Sequence, residues 1–499
     1  MRESTVRMHD LSKSLLTFWG KARPLAGHSP AFHPALLHCL DVAAASKVLI
    51  DEGWAAGSEE LYPVLPFLTA LHDIGKFSRG FQQQCPEHWP EASYGTLNRV
   101  ATERHDTTGF WLLQHHCLDL LEPIFPELPR QGLLGLLRSV AGHHGRPPLE
   151  SAPENPFPLG VDLTSARVAR EVVTCLLATL APRPVALARR RALKVSWPVA
   201  GLINLADWIG SSSHFPYVAA TDIQDLSVYF DEHAIPRAYT AVEAVGLRAA
   251  LPRAFTGLGG LFPGIAKPSP VQVWAETSQL PQRPLLALIE DVTGGGKTEA
   301  AMVLAHRLLA DQRGEGIFVG LPTMATAGAM FARLSDSYRH LFAHDAAPSL
   351  ALAHGRAHLD GRFTSTILES GAGLEISDGA SPASSQCAAW LADGGRKALL
   401  AQVGVGTLDQ ALLSVLPARY AALRQLALSR KVLIIDEVHA YDHYMQAELA
   451  ALLQCHAAAG GSAILLSATL TLALRNRLMN AFSSGLEVNR PGFAGGCFA

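Results

Sequence analysis

Seven side chains in the first half of the sequence are of the kinds that ligate cations: His38, His72, Asp73, His105, His143, His144 and Asp207. They fall in five separate segments, "LLHCLDVA", "LHDIGKF", "ERHDTTGF", "AGHHG" and "LADWIG". A metal needs nitrogen and oxygen ligands that converge from different elements, because neighbours on one helix cannot surround it. Imidazole and carboxylate without thiolate suit Mn, Mg, Co, Ni or Fe better than a closed structural zinc site. These ligands exceed what one ion requires, which points to two divalent ions bridged by Asp73. Two ions roughly 3.5–4 Å apart can activate a water and stabilise the leaving oxygen of a phosphodiester. Lys76 lies three residues after Asp73 and shares its helix face. It could neutralise a phosphate or be a solvated lysine at the helix end.

A second set lies in the other half. "LLALIEDVTGGGKTEAAM" is a strand, a turn from Thr293 through Gly294, Gly295 and Gly296, and a helix start. The glycines leave backbone N–H groups free to wrap phosphates, and the helix N-terminus adds its positive dipole. Lys297 would reach the β- and γ-phosphates and Thr298 would hold Mg²⁺. Asp291 stands six residues before the lysine, where a small residue is expected, and must turn away from phosphate. In "KVLIIDEVHAYD" an apolar strand delivers Asp436 to Mg²⁺ and Glu437 to the attacking water. His439, with Ser467, Ala468 and Thr469 of "LLSATL", would couple the nucleotide to the rest of the motor.

Two kinds of framework must position these groups. From about 15 to 235, apolar residues recur at three and four, as in "HPALLHCLDVAAASKVL" and "GLLGLLRSVAGHH", with little strand signal. "FLTALHDIGKFSRGF" reads as one buried helix carrying His72 and Asp73. From about 271, short apolar strands alternate with amphipathic helices, which implies a parallel α/β sheet. The expected division is a helical domain at 1–240, a Gly/Pro-rich linker at 241–270 and an α/β domain at 271–499. Residues 368–386, rich in Gly and Ser, read as a surface loop.

Composition sets the class. The chain has 499 residues, 48% hydrophobic and 17% charged, with a net charge of −3. That describes a globular protein without a global pull toward nucleic acid or membrane. Any polymer must be held by local patches such as Arg183, Arg189, Arg190, Arg191 and Lys194, which could equally be a solvated helix face. The seven scattered cysteines contain no CxxC and suit a reducing cytoplasm. Neither a signal peptide nor a membrane span is expected.

The order His, His-Asp, His, His-His, Asp resembles the HD phosphohydrolase superfamily, in the branch of the CRISPR-associated HD nuclease/helicases of type I interference systems. The Asp-Glu-x-His and Ser-Ala-Thr motifs resemble helicase superfamily 2, and "LPTMATAGAMFARL", "VGVGTLDQALL" and "WLADGGRKALL" resemble segments of the same CRISPR helicase. The resemblance implies an all-α HD phosphohydrolase domain followed by a RecA-like lobe. It implies a metal-dependent nuclease that degrades single-stranded DNA exposed by a guide-RNA surveillance complex, driven by ATP-dependent translocation, in antiviral defence. Gln272 would then be the adenine-reading glutamine. Only 30 residues follow Thr469, so no second RecA-like lobe is expected here, and the lobe alone is expected to turn over ATP poorly. Two rival readings are an HD enzyme for small nucleotides with a regulatory ATP-binding lobe, and a non-enzymatic docking fragment.

Overall fold

The computed structural model describes residues 11–22, 29–148, 160–335, 337–344, 346, 348–353 and 399–488. The expected surface loop at 368–386 and most of "WLADGGRKALL" lie outside them. The chain divides into two compact units, the first ending at Ala244 and the second beginning at Val245.

The first unit is built from helices, as the periodicity implies. Helix α1 (Ala35–Asp51) is buried from Ala35 to Ser46 on every side, so it forms the centre of the unit. Against it pack α2 (Leu65–Ala70) and, further along the chain than α3 (His105–Leu112), α4 (Arg130–Ala141) and α5 (Leu163–Leu180), also α6 (Arg189–Gly210) and α7 (Ile235–Ala244). A two-stranded antiparallel sheet, β1 (Trp19–Ala22) with β2 (Phe32–Pro34), precedes α1 and was not visible in the sequence pattern.

The expected single helix over residues 67–81 is interrupted. After α2 the chain tightens into a 3-10 helix, Leu71–Phe77, with Asp73 off helical geometry at φ −107°, ψ 18°. Across this kinked turn Asp73 and Lys76, three residues apart, meet with 2.7 Å between Oδ2 and Nζ. This segment crosses the start of α3 at backbone contact. A Cβ on Gly75 would stand 1.9 Å from the His105 carbonyl oxygen and 2.7 Å from the Gly109 nitrogen. A Cβ on Gly210, at the end of α6, would stand 3.0 Å from the Val42 backbone of α1. Glycine at these two positions lets the elements bearing Asp73, His105, His38 and Asp207 approach.

The second unit contains a six-stranded, wholly parallel sheet in the order β3-β8-β7-β4-β6-β5. The strands are β3 (Leu286–Glu290), β4 (Gly316–Leu321), β5 (Leu350–Ala353), β6 (Val403–Thr407), β7 (Lys431–Ile435) and β8 (Ala463–Ser467). The four inner strands are buried at every residue, the signature of a sheet covered on both faces. Helices α8 (Pro270–Thr277), α9 (Lys297–Ala310), α10 (Met324–Ser335), α11 (Ala421–Ser429), α12 (His443–Ala458) and α13 (Leu472–Val488) belong to this unit.

The stretch read as a linker at 241–270 is structured. Residues 241–244 finish α7, Pro252 bridges to Phe342, and the Gln402 amide donates to the Arg248 carbonyl at 2.6 Å. Composition marked it as linker because its Gly and Pro content mimics one, while its backbone groups are satisfied by neighbours far along the chain.

Two outcomes test this packing. Gly75→Ala forces a methyl into the α3 backbone and should lower stability by about 1–3 kcal/mol or more in thermal unfolding; an unchanged melting temperature would contradict the crossing. Lys431 begins the central strand β7, buried, donating to the Ala401 carbonyl, and burial lowers its ammonium to about 7. The unfolded chain therefore holds this proton more tightly, so stability should rise with pH from about 7 toward the free-lysine value. Lys431→Met should stabilise the protein at neutral pH and flatten that rise in denaturant titrations.

Candidate metal centre and nucleotide loop

The seven residues read from five segments converge in the first unit. Asp73 sits at their centre, 2% exposed. Its Oδ2 lies 3.3 Å from His38 Nε2, 3.1 Å from His72 Nε2 and 2.7 Å from Lys76 Nζ. Its Oδ1 lies 3.1 Å from His105 Nε2 and 3.4 Å from His143 Nε2. Asp207 Oδ1 stands 3.6 Å from both His38 and His72. His144 Nε2 is 2.9 Å from His105 Nε2.

The donors sort into two foci. One atom each from His38, His72 and Asp73 lie within 4.8 Å of one another, and so do one atom each from His105, His143 and His144. The two oxygens of Asp73 face one focus each. Local structure explains the sorting: His38 comes from α1, His72 and Asp73 from the 3-10 segment, and Asp207 from the last turn of α6. The other focus takes His105 from the first residue of α3, and His143 and His144 from the 3-10 turn Gly142–His144 that ends α4.

The donor chemistry fits divalent cations. His72 Nδ1 lies 2.9 Å from the Thr69 carbonyl, which only accepts, so Nδ1 carries a proton and Nε2 is the nitrogen turned toward the carboxylates. Buried His72 Nε2 makes no hydrogen bond among the described residues. Burial alone would depress His72, but the Asp73 and Asp207 carboxylates override it and lift the ring to about 9. Burial works against ionised Asp73, yet His72, Lys76, His105 and His143 hold it well below the usual carboxylate range. Asp207 is held low against burial by His38 and His72. Burial, reinforced by the Lys21 ammonium, lowers His38 to about 4, and burial also pushes His105 and His144 down. The lowered rings of His38, His105 and His144 thus offer lone pairs, and a bound cation would replace the proton that the carboxylates hold on His72.

Lys76 is 3% exposed and pinned against Asp73, so the reading of it as a solvated lysine at a helix end is wrong. The sequence reading also missed Lys21 and Gln82. Buried Lys21 donates to the Gly210 carbonyl at 3.2 Å, fastening β1 to the end of α6. The Gln82 amide donates to the carbonyls of Trp19 at 2.9 Å and Lys76 at 2.7 Å. Neither belongs to a recognisable spacing; both are single polar residues whose partners lie far along the chain. Of the basic cluster, Arg191 is engaged by Glu60.

In the second unit, the nucleotide motifs gather at the C-terminal ends of three adjacent strands. The loop from Thr293 to Gly296 follows β3, Asp436 and Glu437 follow β7, and Ser467 ends β8 between them. Gly294 and Gly296 adopt φ +82° and +89°, which favour glycine. Lys297, opening α9 beside Thr298, donates to the carbonyls of Asp291 at 2.7 Å and Val292 at 2.9 Å. The Asp291 carboxylate accepts from the Val292 N–H at 2.8 Å, a local cap that accounts for an acid in this loop. Burial pushes the Asp436 carboxyl up. Glu437 adopts a left-handed φ of +52°, backbone strain of the kind held at functional sites. His439 Nδ1 lies 3.0 Å from Ser467 Oγ, which donates to the Thr469 carbonyl at 2.9 Å past Ala468. Gln272 differs from a free adenine reader: its Oε1 accepts from the Ser269 N–H in a capping box at the start of α8.

Residues 19–216 match the family model described as "Cas3, HD domain". Over 505 residues the chain is 34% identical to the CRISPR-associated endonuclease/helicase Cas3 of Escherichia coli K12, covering 94% of this chain and 56% of that protein. A crystal structure of T. fusca Cas3-AMPPNP superposes with a TM-score of 0.76 and 30% identity, over 96% of this chain and 53% of that one. A chain of a CRISPR RNA-guided surveillance complex, pre-nicking, matches with a TM-score of 0.62 and 27% identity, over 96% of this chain and 51% of that one. The chain spans about half the length of the relatives it matches. Among the described residues, no helix is long and apolar enough to cross a membrane. With an HD-type cluster of histidines and aspartates in one unit and a phosphate loop on a parallel sheet in the other, the chain belongs to the Cas3 family of CRISPR-associated HD nuclease/helicases.

Proposed function

We propose that the first unit is a two-metal nuclease acting on single-stranded DNA, and that the second is the ATP-binding RecA-like lobe of its motor. The observation that carries this is the division of Asp73, one oxygen toward His38 and His72 and the other toward His105 and His143. Asp73 with His38, His72 and Asp207 would hold one cation, and Asp73 with His105, His143 and His144 the other. Two divalent cations held there, from Mn, Mg, Co, Ni or Fe, would generate a hydroxide nucleophile and screen the scissile phosphate. Lys76 holds a fixed positive charge 2.7 Å from Asp73 Oδ2, poised for a phosphate oxygen. Thr69 orients His72 through Nδ1.

In the lobe, Lys297 exchanges the Asp291 and Val292 carbonyls for nucleotide phosphates. Thr298 and Asp436 would hold Mg²⁺, and Glu437 would orient the water. The His439–Ser467 contact links the nucleotide-bearing loop to the Ser-Ala-Thr segment. Gln272 contributes its amide nitrogen beside the phosphate loop, since its oxygen is spent on the cap. The substrate is taken to be the strand exposed by a guide-RNA surveillance complex of a type I CRISPR system, in the cytoplasm. The match to a chain of such a complex supports that partner.

Circular single-stranded DNA incubated with the protein and Mn²⁺ or Co²⁺, without ATP, should be cut. EDTA should abolish cutting, and Asp73→Asn should reduce it by at least about a hundredfold. Hydrolysis of mononucleotides with intact circles would favour the small-nucleotide reading, and inactivity with every metal would reject both. Lys297→Ala should weaken ATP binding by about tenfold or more in calorimetry while leaving ATP-independent cutting unchanged. Cutting that falls in parallel with ATP binding would overturn the assignment of separate sites.

A further inference from the structure

The turn Cys85-Pro86-Glu87-His88 gathers three different donors outside the HD cluster: a thiol, a carboxylate and an imidazole. One ligand atom from each lies within 4.8 Å of the other two. Ligands on one tetrahedral ion at bond lengths of about 2.0–2.3 Å fall within that spread.

The backbone sets this spacing. Pro86 opens a one-turn 3-10 helix, Pro86–His88, and Cys85 is the residue before it. The His88 N–H donates to the Cys85 carbonyl at 3.0 Å, and the Cys85 N–H to the Gln82 carbonyl at 3.3 Å. The Cys85 thiol and a His88 ring nitrogen lie within 4.8 Å of each other across this turn. Glu87 lies between them in sequence, and burial together with its carboxylate pushes the Cys85 thiol up to about 12, a proton that a bound ion would displace. The His88 ring packs against Phe32 at a centroid distance of 4.9 Å, which limits its rotation. Cys85 is a free cysteine and half-buried, His88 is half-buried and Glu87 is exposed, so an ion from solution can reach all three.

We infer that Cys85, Glu87 and His88 form a second metal site, distinct from the HD cluster, for a thiophilic divalent cation of the Zn²⁺ or Co²⁺ class. Three ligands from one turn cap one side of an ion without surrounding it and leave the remaining position to water, so the ion is exchangeable. Sulfur selects against Mg²⁺ and Ca²⁺, which prefer oxygen. The HD cluster draws on no sulfur, so the two sites differ in metal preference. This inference stands independently of the nuclease reading.

Co²⁺ titration of the full chain separates the sites spectroscopically, because only a thiolate ligand gives a near-ultraviolet sulfur-to-cobalt charge-transfer band. The band should appear in the unsubstituted protein and in Asp73→Asn, vanish in Cys85→Ser, and be displaced by Zn²⁺. His88→Gln should raise its midpoint concentration at least about tenfold, which keeps the test decisive should Cys85→Ser fail to fold. A band that is absent from the unsubstituted protein, unchanged in Cys85→Ser, or indifferent to His88→Gln would overturn the inference.

Discussion

The first unit is organised by the cost of keeping Asp73 and Asp207 ionised in its interior. Removing a carboxylate from water costs several kcal/mol unless opposite charge and hydrogen-bond donors replace the solvent. Here the replacement comes from His72, His105, His143 and the Lys76 ammonium around Asp73, and from His38 and His72 beside Asp207. No single helix could deliver that ring. The unit must therefore bring α1, the 3-10 segment, α3, the end of α4 and the end of α6 to one point. Gly75 and Gly210 are where the backbones come close enough.

The same requirement accounts for residues that take no direct part in the cluster. Lys21 ties β1 to the α6 terminus three residues past Asp207, and Gln82 holds β1 against the carbonyl of Lys76. These contacts hold the elements bearing the ligands. They also give the two-stranded sheet a purpose: its backbone lets a short segment deliver Lys21 to a buried position beside the carboxylates.

In the second unit, topology does what burial does in the first. With β8 between β3 and β7, the phosphate loop, the Asp-Glu pair and the Ser-Ala-Thr segment necessarily emerge side by side. A parallel sheet places its strand C-termini on one edge, which is where such sheets bind ligands. The direct His439–Ser467 contact follows from that adjacency, and the left-handed Glu437 sits at the turn that creates it.

Ligand identity, motif order and the alternation of strands with helices were all legible in the residues, because they depend on side-chain chemistry and on short-range periodicity. So were the glycines of the phosphate loop, whose positive φ is a local need. Other features needed the folded chain. Nothing in "LHDIGKF" announces the kinked 3-10 segment, its close approach to α3 at Gly75, or the burial of Lys76 against Asp73. Gln272 and Asp291 have motif positions whose local hydrogen bonds appear only once Ser269 and Val292 are placed. The stretch at 241–270 has a linker's composition and a packed segment's contacts. The amino-acid order by itself determined which groups can bind cations and phosphates; tertiary structure alone decided which oxygen of Asp73 faces which imidazole, because that pairing is set by where distant helices cross.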